Sequence, residues 1–379
     1  MVSVGALEGR IDSTESIRLS YQPMRTEASQ SAERPTLAAV AALAGVSAST
    51  ASLAFSGAGP VSESTRAKVL AAAAQLNYAG PDPRAQSLRR GRSGIIGVVM
   101  EDRLSDAFRD PVNIAMLDGV SEELGLAGYS LLLLTDTGDN HATLAAAPVD
   151  GVIMVGCSRE LDAPVTAFRQ RGIPIVAIEA EPMDGVLHID LDNRDATARA
   201  ARHLHDLGHR RVALVTLPLE GTHATGPLTA EAEAASRVHT TLERIRGARD
   251  VFPEVSGVVA GGSSVEDGLV AGRAVLAAEP RPTAVIAQSD LLALGVIRAA
   301  EEAGLTVPRD LSVIGFDGVR IEGAGDYELT TMAQPSVDKG RAAGRAAVEL
   351  LTEGGAEPQA FTAALHIGNT TGPLRHSAS

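Results

Sequence analysis

The sequence predicts an α/β protein: a small all-α N-terminal domain followed by a core of doubly wound parallel sheets. Residues 35–93 hold only short helical patterns. From Gly94 onward, apolar runs of the kind found in buried strands alternate with amphipathic helix patterns. This alternation predicts right-handed βαβ units. The predicted strands are Ile95–Met100, Ser130–Thr135, Val152–Gly156, Ile175–Glu179, Arg211–Leu217, Ala284–Ala287 and Ser312–Phe316.

The N-terminal part predicts three helices, each with a side-chain cap. Thr36 precedes a helix over Leu37–Ala44, Ser47 precedes one from Ala48 to about Phe55, and Ser62 precedes one over Glu63–Asn77. Gly45 between the first two suits a tight turn, so the pair predicts a helix-turn-helix. A generic three-helix bundle without a DNA role is the alternative on pattern alone.

The charge is unevenly distributed along the chain. The net charge of the 379 residues is −14, and this acidity taken whole disfavours a nucleic-acid partner. Residues 34–94, however, carry seven basic and two acidic side chains, whereas the chain after residue 94 carries a net −17. The small N-terminal domain is therefore the part suited to DNA.

A charge-free stretch between Arg34 and Glu63 exceeds the roughly 20 residues that span a bilayer. Its large apolar side chains are sparse, so we expect neither a membrane span nor an export signal, and we expect a cytoplasmic protein. The single cysteine, Cys157, excludes an internal disulfide framework. Residues 1–33 lack periodicity and are expected to form a disordered tail, as is a short tail at 373–379.

Residues 36–92 resemble the DNA-binding headpiece of the lactose repressor (LacI/GalR) family. The shared motifs are T-L-x-x-V-A-x-x-A-G-V-S, Ser-Thr-x-Ser in the second helix, V-S-x-x-T-R-x-K-V, and P-x-P-x-A-x-S-L. The resemblance implies a helix-turn-helix domain over 34–79 and a hinge helix within 80–93, for which a plain linker is the alternative. It implies a transcriptional repressor that binds double-stranded operator DNA as a homodimer.

The resemblance places the second helix in the major groove. It assigns phosphate contacts to Ser47, Thr50 and Ser52, and base-facing positions to Ala48, Ser49 and Leu53; Thr36 is also expected at the DNA. Many family members have a long side chain at Ala48 and Arg at Leu53. Leu53 can offer only apolar contact to a thymine methyl group. The hinge residues matched are Leu88, a wedge for the minor groove, with Ala85 and Gln86 beside it.

Residues 94–372 resemble the family's effector-binding and dimerisation core, a two-lobed fold similar to periplasmic sugar-binding proteins. The matching segments are 'IDLDNRDATARAARHLHDLGHRRVALV', 'SDLLALGVIRAAEEAGLTVPRDLSVIGFDG' and 'LTTMAQP'. We expect lobe one over about 94–190 and 326–354, and lobe two over about 191–325 and 355–372. The implied ligand is a small, sugar-like effector.

Three residues are the main candidates for the effector site. The family's aspartate matches Asp290, for which an N-cap carboxylate is the alternative, and its arginine matches Arg244, for which a solvated helix arginine is the alternative. The second aromatic of the family's N-P-F-F loop matches Phe108. The weaker candidates are Asp106, Asp192 and Phe316.

Enzyme chemistry finds little support in the sequence. No G-x-x-x-x-G-K-[ST] loop, G-x-G-x-x-G turn or H-E-x-x-H pair occurs, so we expect no cofactor, no metal site and no catalytic residues. His203, His205 and His209 are expected to be surface or capping residues rather than metal ligands. Alternatives to an effector-controlled regulator are a transport-type solute-binding protein and a DNA-bound regulator without effector response.

Overall fold

The computed structural model describes residues 35–57, 59–80, 91–100, 107–135, 141–156, 162–219 and 224–375. The chain divides into two compact units, residues 1–86 and 87–379. The expected tail at 1–33, most of the expected hinge (81–90) and residues 376–379 of the expected tail at 373–379 lie outside the described residues. Residues 373–375 are described, and the Leu374 backbone N–H donates to the Leu207 carbonyl oxygen at 2.9 Å, so this part of the expected tail is bonded to the core.

The N-terminal unit contains the three predicted helices. They are α1 (Leu37–Ala44), α2 (Ala48–Ser56) and α3 (Glu63–Gln75). The side chains of Thr36, Ser47 and Ser62 accept hydrogen bonds from backbone N–H groups of the first turns, which confirms the predicted caps. Gly45 closes α1 at φ 67°, a left-handed conformation that glycine adopts without strain.

Small side chains hold these helices together. The buried residues are valine and alanine, including Val40, Ala51 and three residues of α3, Val69, Ala72 and Ala73. The third helix is shorter than predicted, because it ends at Gln75 and Asn77 has a positive φ of 50°, which a continuing helix cannot accommodate.

The first lobe of the core is built on a six-stranded parallel sheet. Its strand order is β12-β5-β4-β3-β1-β2. The strands are β1 (Ile95–Met100), β2 (Ser130–Thr135), β3 (Gly151–Val155), β4 (Ile175–Ile178), β5 (Leu187–Leu191) and β12 (Gln359–Phe361), and the helices are α4 (Pro111–Leu126), α5 (His141–Ala145), α6 (Asp162–Gln170) and α12 (Ser336–Thr352). A Cβ at Gly119 would lie 2.1 Å from the Val337 carbonyl oxygen, so glycine lets α4 and α12 pack closely.

The second lobe is built on a seven-stranded sheet with antiparallel strands at its two edges. Its strand order is β13-β11-β10-β9-β6-β8-β7. The strands are β6 (Val212–Thr216), β7 (Gly226–Pro227), β8 (Ser256–Val259), β9 (Ala284–Ala287), β10 (Ser312–Asp317), β11 (Thr330–Ala333) and β13 (Ala364–His366), and the helices are α7 (Asn193–Asp206), α8 (Ala230–Ala235), α9 (His239–Arg249), α10 (Val265–Leu276) and α11 (Asp290–Glu302).

The chain passes between the lobes three times, and two passages correct the predicted lobe boundaries. Residues 330–333 were expected in lobe one, but β11 pairs in parallel with β10 and so belongs to lobe two. Residues 359–361 were expected in lobe two, but β12 pairs with β5 in lobe one. The crossovers therefore follow β5, β11 and β12, at residues that link one sheet directly to the other.

The C-terminal segment is bonded into the second lobe through a buried histidine. His209 is 3% exposed, and its ring nitrogens lie 3.0 Å from the hydroxyls of Thr283 and Ser312 and 3.1 Å from the Gly372 carbonyl oxygen. The expectation of a surface or capping residue is wrong for His209, because the segment over 370–374 covers it. His205 is partly exposed.

Within the described ranges, no single helix is long and apolar enough to cross a membrane; α1 and α2 pass such a test as a pair, but they are bent by 102°.

Candidate nucleic-acid interface and effector site

The second helix presents a row of small polar groups and one leucine at the surface. Ser47, Ala48 and Ser49 are exposed, Thr50 and Ser52 are partly exposed, and the Leu53 side chain is 38% exposed. The Ser47 hydroxyl accepts a bond from the Thr50 backbone N–H and lies 2.8 Å from the hydroxyls of both Ser49 and Thr50. This face carries hydroxyl groups suited to phosphate oxygens.

Leu53 is the one large side chain among the predicted base-facing residues. It has no polar atom, and a Cβ on Gly59 would lie 3.3 Å from its Cδ2, so the Leu53 side chain packs over the turn after α2. Thr36 caps α1 through its hydroxyl. Ala85, Gln86 and Leu88 lie outside the described residues.

A second group of polar residues lies where the two lobes meet, and we call it the interlobe cluster. Its members come from the N-terminus of α4, the end of β4, α7, α9, α11, the end of β10, the second crossover and α12. They are Asp110, Glu179, Asn193, Arg244, Asp290, Asp317, Gln334 and Lys339.

Arg244 lies at the centre of this cluster and is buried. Its Nε donates to Asn193 Oδ1 at 2.8 Å, and its Nη1 donates to the Gln288 backbone carbonyl. The guanidinium lies 3.6 Å from the centroid of the Phe316 ring, a cation–π contact, and 3.8 Å from Asp317 Oδ1. Burial lowers the pKa of Arg244, and the charge of Asp317 opposes that shift. The alternative of a solvated helix arginine is therefore wrong.

Asp290 and Asp317 form a buried pair beside this arginine. The Asp290 backbone N–H lies 3.4 Å from Asp317 Oδ2, and Asp290 Oδ2 accepts a bond of 2.9 Å from the Val319 N–H. Burial raises the pKa of Asp290 to about 7 and that of Asp317 well above its ordinary value, and the charge of Asp290 adds to the second shift. Both carboxyls therefore lose their protons at a higher pH than ordinary carboxyls do.

The helix cap predicted as an alternative role for Asp290 belongs to its neighbour. The Ser289 side chain accepts the bond from Leu292 N–H, and Asp290 is the first residue of α11. Glycine at position 315 leaves room for the Asp290 carboxyl group, because a Cβ there would lie 2.2 Å from Asp290 Oδ1. The Asp290 side chain is thus free of capping and faces β10 and the loop after it.

Glu179 and Lys339 form an ion pair in the first lobe. Lys339 is fully buried, and its Nζ donates to Glu179 Oε1 and to Gln334 Oε1. Burial alone would raise the pKa of Glu179, but the charges of Lys339 and Arg244 and a bond from Asn193 outweigh it and lower that pKa.

The side-chain contacts of the cluster close into a ring that joins the lobes. On one side, Asn193 Nδ2 donates to Glu179 Oε2 at 2.7 Å, and Asn193 Oδ1 accepts from Arg244. On the other side, Gln334 Nε2 donates to Asp317 Oδ1 at 2.7 Å. Movement of one lobe against the other must therefore disturb these bonds.

Two of these acids lie on backbone that non-glycine residues rarely adopt. Glu179 has φ 54° and directly follows β4, and Asp317 has φ 121° at the end of β10. Residues in such conformations cluster at ligand sites and switch regions. The position agrees with the rule that ligands bind beyond the carboxyl ends of parallel strands.

The predicted effector residues divide into two groups. Arg244, Asp290 and Phe316 come together in the cluster. Phe108 lies apart from these residues' contacts with a side chain that is 54% exposed. The Asp192 carboxylate lies outside the cluster and accepts hydrogen bonds from Arg199 Nη2 at 2.5 Å and from the Ala363 N–H at 2.9 Å. The second bond joins the first crossover to the third. Asp106 lies outside the described residues.

Sequence reasoning missed six of the eight residues of the cluster. Asp317 and Glu179 each follow an apolar strand run, which is a usable signal for a site at the strand ends. Asp110 was not singled out in the sequence; in the structure it caps α4, where its side chain accepts a bond from the Val112 N–H. Asn193, Gln334 and Lys339 carried no local signal, because each also bonds a cluster residue from another element, namely Arg244, Asp317 and Glu179 respectively.

Comparison with known proteins agrees with both parts of this description. The profile described as "Bacterial regulatory proteins, lacI family" matches residues 36–80, and the profile "Periplasmic binding protein-like domain" matches residues 201–371. The HTH-type transcriptional regulator IpsA of Corynebacterium glutamicum is 32% identical over 354 residues, which cover 89% of this chain and 98% of that protein.

Two solved structures show the same architecture. The lac repressor dimer bound to operator and the anti-inducer ONPF has a TM-score of 0.73 at 25% identity, covering 90% of this chain and all of that one. The complex of the transcriptional regulator CelR with cellobiose has a TM-score of 0.63 at 27% identity, covering 89% and 100%. These relatives are transcriptional regulators rather than enzymes, as predicted. The chain belongs to the LacI family of bacterial regulatory proteins.

Proposed function

We propose that this protein is a repressor that binds a two-fold symmetric operator as a homodimer and is controlled by a small, sugar-like effector bound between its lobes. The observation that carries the proposal is the combination of an exposed hydroxyl-rich helix in a helix-turn-helix with a buried polar cluster between two lobes. Because it acts on the chromosome, we also propose the cytoplasm as its location.

The N-terminal unit supports DNA binding through phosphate contacts more than through base contacts. Ser47, Thr50 and Ser52 offer hydroxyl groups along α2, whereas Ala48 and Leu53 cannot hydrogen-bond base edges. We therefore propose that specificity at Leu53 comes from thymine methyl groups. Two copies of the unit would read two half-sites related by symmetry, which is the reason for a homodimer.

The interlobe cluster supports an effector site because its polar groups come from both lobes. Arg244, Asp290 and Asp317 belong to the second lobe, and Asp110, Glu179 and Lys339 belong to the first. A ligand that contacts both sets favours one angle between the lobes over another. The CelR relative is described in complex with cellobiose, which supports a sugar-like ligand for this chain.

Effector control would reach the DNA through the segment between the two units. We propose that a change in the lobe angle orders or melts hinge helices that contain Leu88. A coupling free energy of about 1–3 kcal/mol would change operator affinity roughly 5- to 150-fold.

Genomic footprinting of the full chain tests this function. We expect protected sites with two-fold symmetry, and we expect Leu88→Ala to weaken binding to them, because the wedge into the minor groove is lost. Full operator affinity in Leu88→Ala would show that Leu88 does not insert into the minor groove. A transport-type solute-binding protein would protect no site at all.

A further inference from the structure

We propose that Arg92 and Asp150 are positioning residues for operator binding: with the C-terminal end of α12, they fix the point at which the chain toward the N-terminal unit leaves the first lobe. We call this set of contacts the joint, and its residues are Arg92, Ser93, Gly94, Asp150 and Leu351. The inference rests on the proposed function, since it names the contacts through which the lobes would act on the DNA-binding units.

The Asp150 carboxylate holds the two residues that precede β1. Its Oδ1 accepts bonds from the Ser93 backbone N–H at 2.7 Å and from the Ser93 hydroxyl at 2.9 Å, and its Oδ2 accepts from the Gly94 N–H at 2.7 Å. The Asp150 backbone N–H donates in turn to the Ile95 carbonyl oxygen at 2.8 Å. Hydrogen bonds to an ionised carboxylate are about twice as strong as neutral ones, so this attachment is firm.

Arg92 adds a second attachment, to the end of a helix. Its Nη2 donates to the Leu351 carbonyl oxygen at 3.1 Å, one residue before α12 ends at Thr352. Carbonyl groups in the last turn lack a partner within the helix and carry partial negative charge, so a guanidinium is a favourable donor there. Leu351 also lies beside β3, because a Cβ on Gly151 would lie 3.4 Å from its Cδ1. The end of α12 therefore reaches both parts of the joint.

The other end of α12 lies at the interlobe cluster. Gln334 precedes the helix directly after β11, and the Lys339 ammonium near the helix start bonds Glu179 and Gln334. The 17 residues of α12 span about 25 Å. The helix packs tightly on α4, since a Cβ at Gly340 would lie 2.1 Å from the Met116 carbonyl oxygen. Because such close packing transmits a displacement rather than absorbing it, the cluster and the joint are two ends of one stiff element.

A fixed point of departure matters because two N-terminal units must reach two half-sites at once. The half-sites read by a symmetric dimer lie at a set spacing along the duplex. With a loose joint, the units could adapt to other spacings, and a displacement of α12 would not reach them. We therefore expect the joint to determine how strictly the protein reads the spacing of its half-sites.

Spacing discrimination by the full chain tests the inference. The probes are a footprinted operator and a duplex of equal length with two extra base pairs at its centre, which turn one half-site by about 70° against the other. The readout is the ratio of the two affinities in fluorescence anisotropy, where a change in protein charge cancels because both duplexes carry the same number of phosphates. We expect the unchanged protein to prefer the operator at least about tenfold, since altered spacing hinders simultaneous engagement.

Two variants weaken the joint from different sides. Asp150→Asn places an NH2 group where the backbone N–H groups of Ser93 and Gly94 need an acceptor, and Arg92→Ala removes the bond to α12. Each should lower the affinity ratio at least about twofold. Urea unfolding checks that each variant is folded, and either variant alone is sufficient for the test.

The matched controls lie in the first lobe away from the joint. Arg171 likewise donates to two backbone carbonyl oxygens, and Asp184 is exposed. Arg171→Ala and Asp184→Asn make the same changes of charge as the two test variants and should leave the ratio unchanged. A role of Arg92 and Asp150 in stability alone would lower the free energy of unfolding without changing the ratio.

A double variant tests the part played by α12. Gln334→Ala removes the bond to Asp317 and one partner of Lys339 at the far end of the helix, and it should lower the ratio by itself. Substitutions at distant, independent sites have additive effects. If the effect passes through the joint, Gln334→Ala should change the ratio no further once Arg92→Ala is present.

Three outcomes would overturn the inference. They are an unchanged ratio in folded Asp150→Asn or Arg92→Ala, an equal fall in the Arg171→Ala control, and additive effects of Gln334→Ala and Arg92→Ala. Binding of the footprinted operator by the unchanged protein would show that the proposed DNA function still stands in each case. The absence of any protected operator would instead count against the proposed function and the inference together.

Discussion

Lys339 and Glu179 form an ion pair in which the lysine has no contact with solvent. Glu179 ends a strand of the first lobe, and through Asn193 it reaches Arg244 in the second lobe. Lys339 lies on α12 directly after the second crossover and also bonds Gln334, which holds Asp317. The pair therefore supports both sides of the ring at the proposed effector site.

Removing the lysine should destabilise the core strongly. Lys339→Met leaves Glu179 buried without its counter-charge, and breaking a buried pair costs about 3–5 kcal/mol. The free energy of unfolding from urea titration should fall by that amount. The double variant Lys339→Met with Glu179→Gln should lose less, because no lone charge remains.

The control for this variant lies on the same helix. Arg341 forms exposed ion pairs with Glu122 and Asp338, so Arg341→Ala should leave the unfolding free energy close to that of the unchanged protein. A similar loss in Arg341→Ala and Lys339→Met would show that the buried pair has no special role.

The raised pKa values of Asp290 and Asp317 predict a pH-dependent stability. Between about pH 4 and the folded-state pKa values, the folded chain holds protons that the unfolded chain has released. The stabilisation that these protons add to the free energy of unfolding is therefore complete below about pH 4. It is lost as the pH rises through about 7. Asp290→Asn is neutral at every pH, so its unfolding free energy should fall less between pH 5 and pH 8.

Urea unfolding at pH 5, 6, 7 and 8 measures this difference. Asp184→Asn, an exposed change, is the control and should follow the unchanged protein. If Asp290→Asn and the unchanged protein show the same slope against pH, the two acids do not hold protons as described.

Leu53 should contribute to recognition of one base step. Leu53→Ala removes the apolar contact to a thymine methyl group, and loss of a base contact costs about 1–3 kcal/mol. Operator affinity in fluorescence anisotropy should fall roughly tenfold, and preference at that base pair should weaken. Leu43→Ala changes an exposed leucine of α1 and is the control. Equal effects of the two changes would argue against base readout by Leu53.

Helices and strands could be predicted where a single stretch of sequence contains the apolar pattern or the capping residue that defines them. The apolar run Ile95–Met100 became β1 with the predicted bounds, and Thr36, Ser47 and Ser62 cap the predicted helices. In contrast, β11 has the sequence Thr-Thr-Met-Ala and was not predicted as a strand. Its two threonines are buried because the strand pairs with β10 and because Thr330 is hydrogen-bonded to Thr370. These partners are distant in sequence, so a local pattern cannot predict the strand.

The site was predictable only in part for the same reason. Arg244 and Asp290 were found through resemblance, but the sequence around Arg244 equally fitted an exposed helix position. Lys339 lies in the segment Ser-Val-Asp-Lys-Gly, which looks like a solvated helix start. Its burial depends on Gly340, where a Cβ would lie 2.1 Å from the Met116 carbonyl oxygen, and on a glutamate 160 positions away.

The salt dependence of operator binding tests the central claim most directly. Residues 34–94 should make the phosphate contacts, because they carry seven basic and two acidic side chains while the rest of the chain is acidic. The measurement is the affinity of the full chain for a footprinted operator and for a scrambled duplex between about 50 and 200 mM salt. We predict specific binding whose affinity falls steeply, on the order of 10³-fold for six or more phosphate contacts. Affinity that does not change with salt, or equal affinity for the two duplexes, would contradict the account.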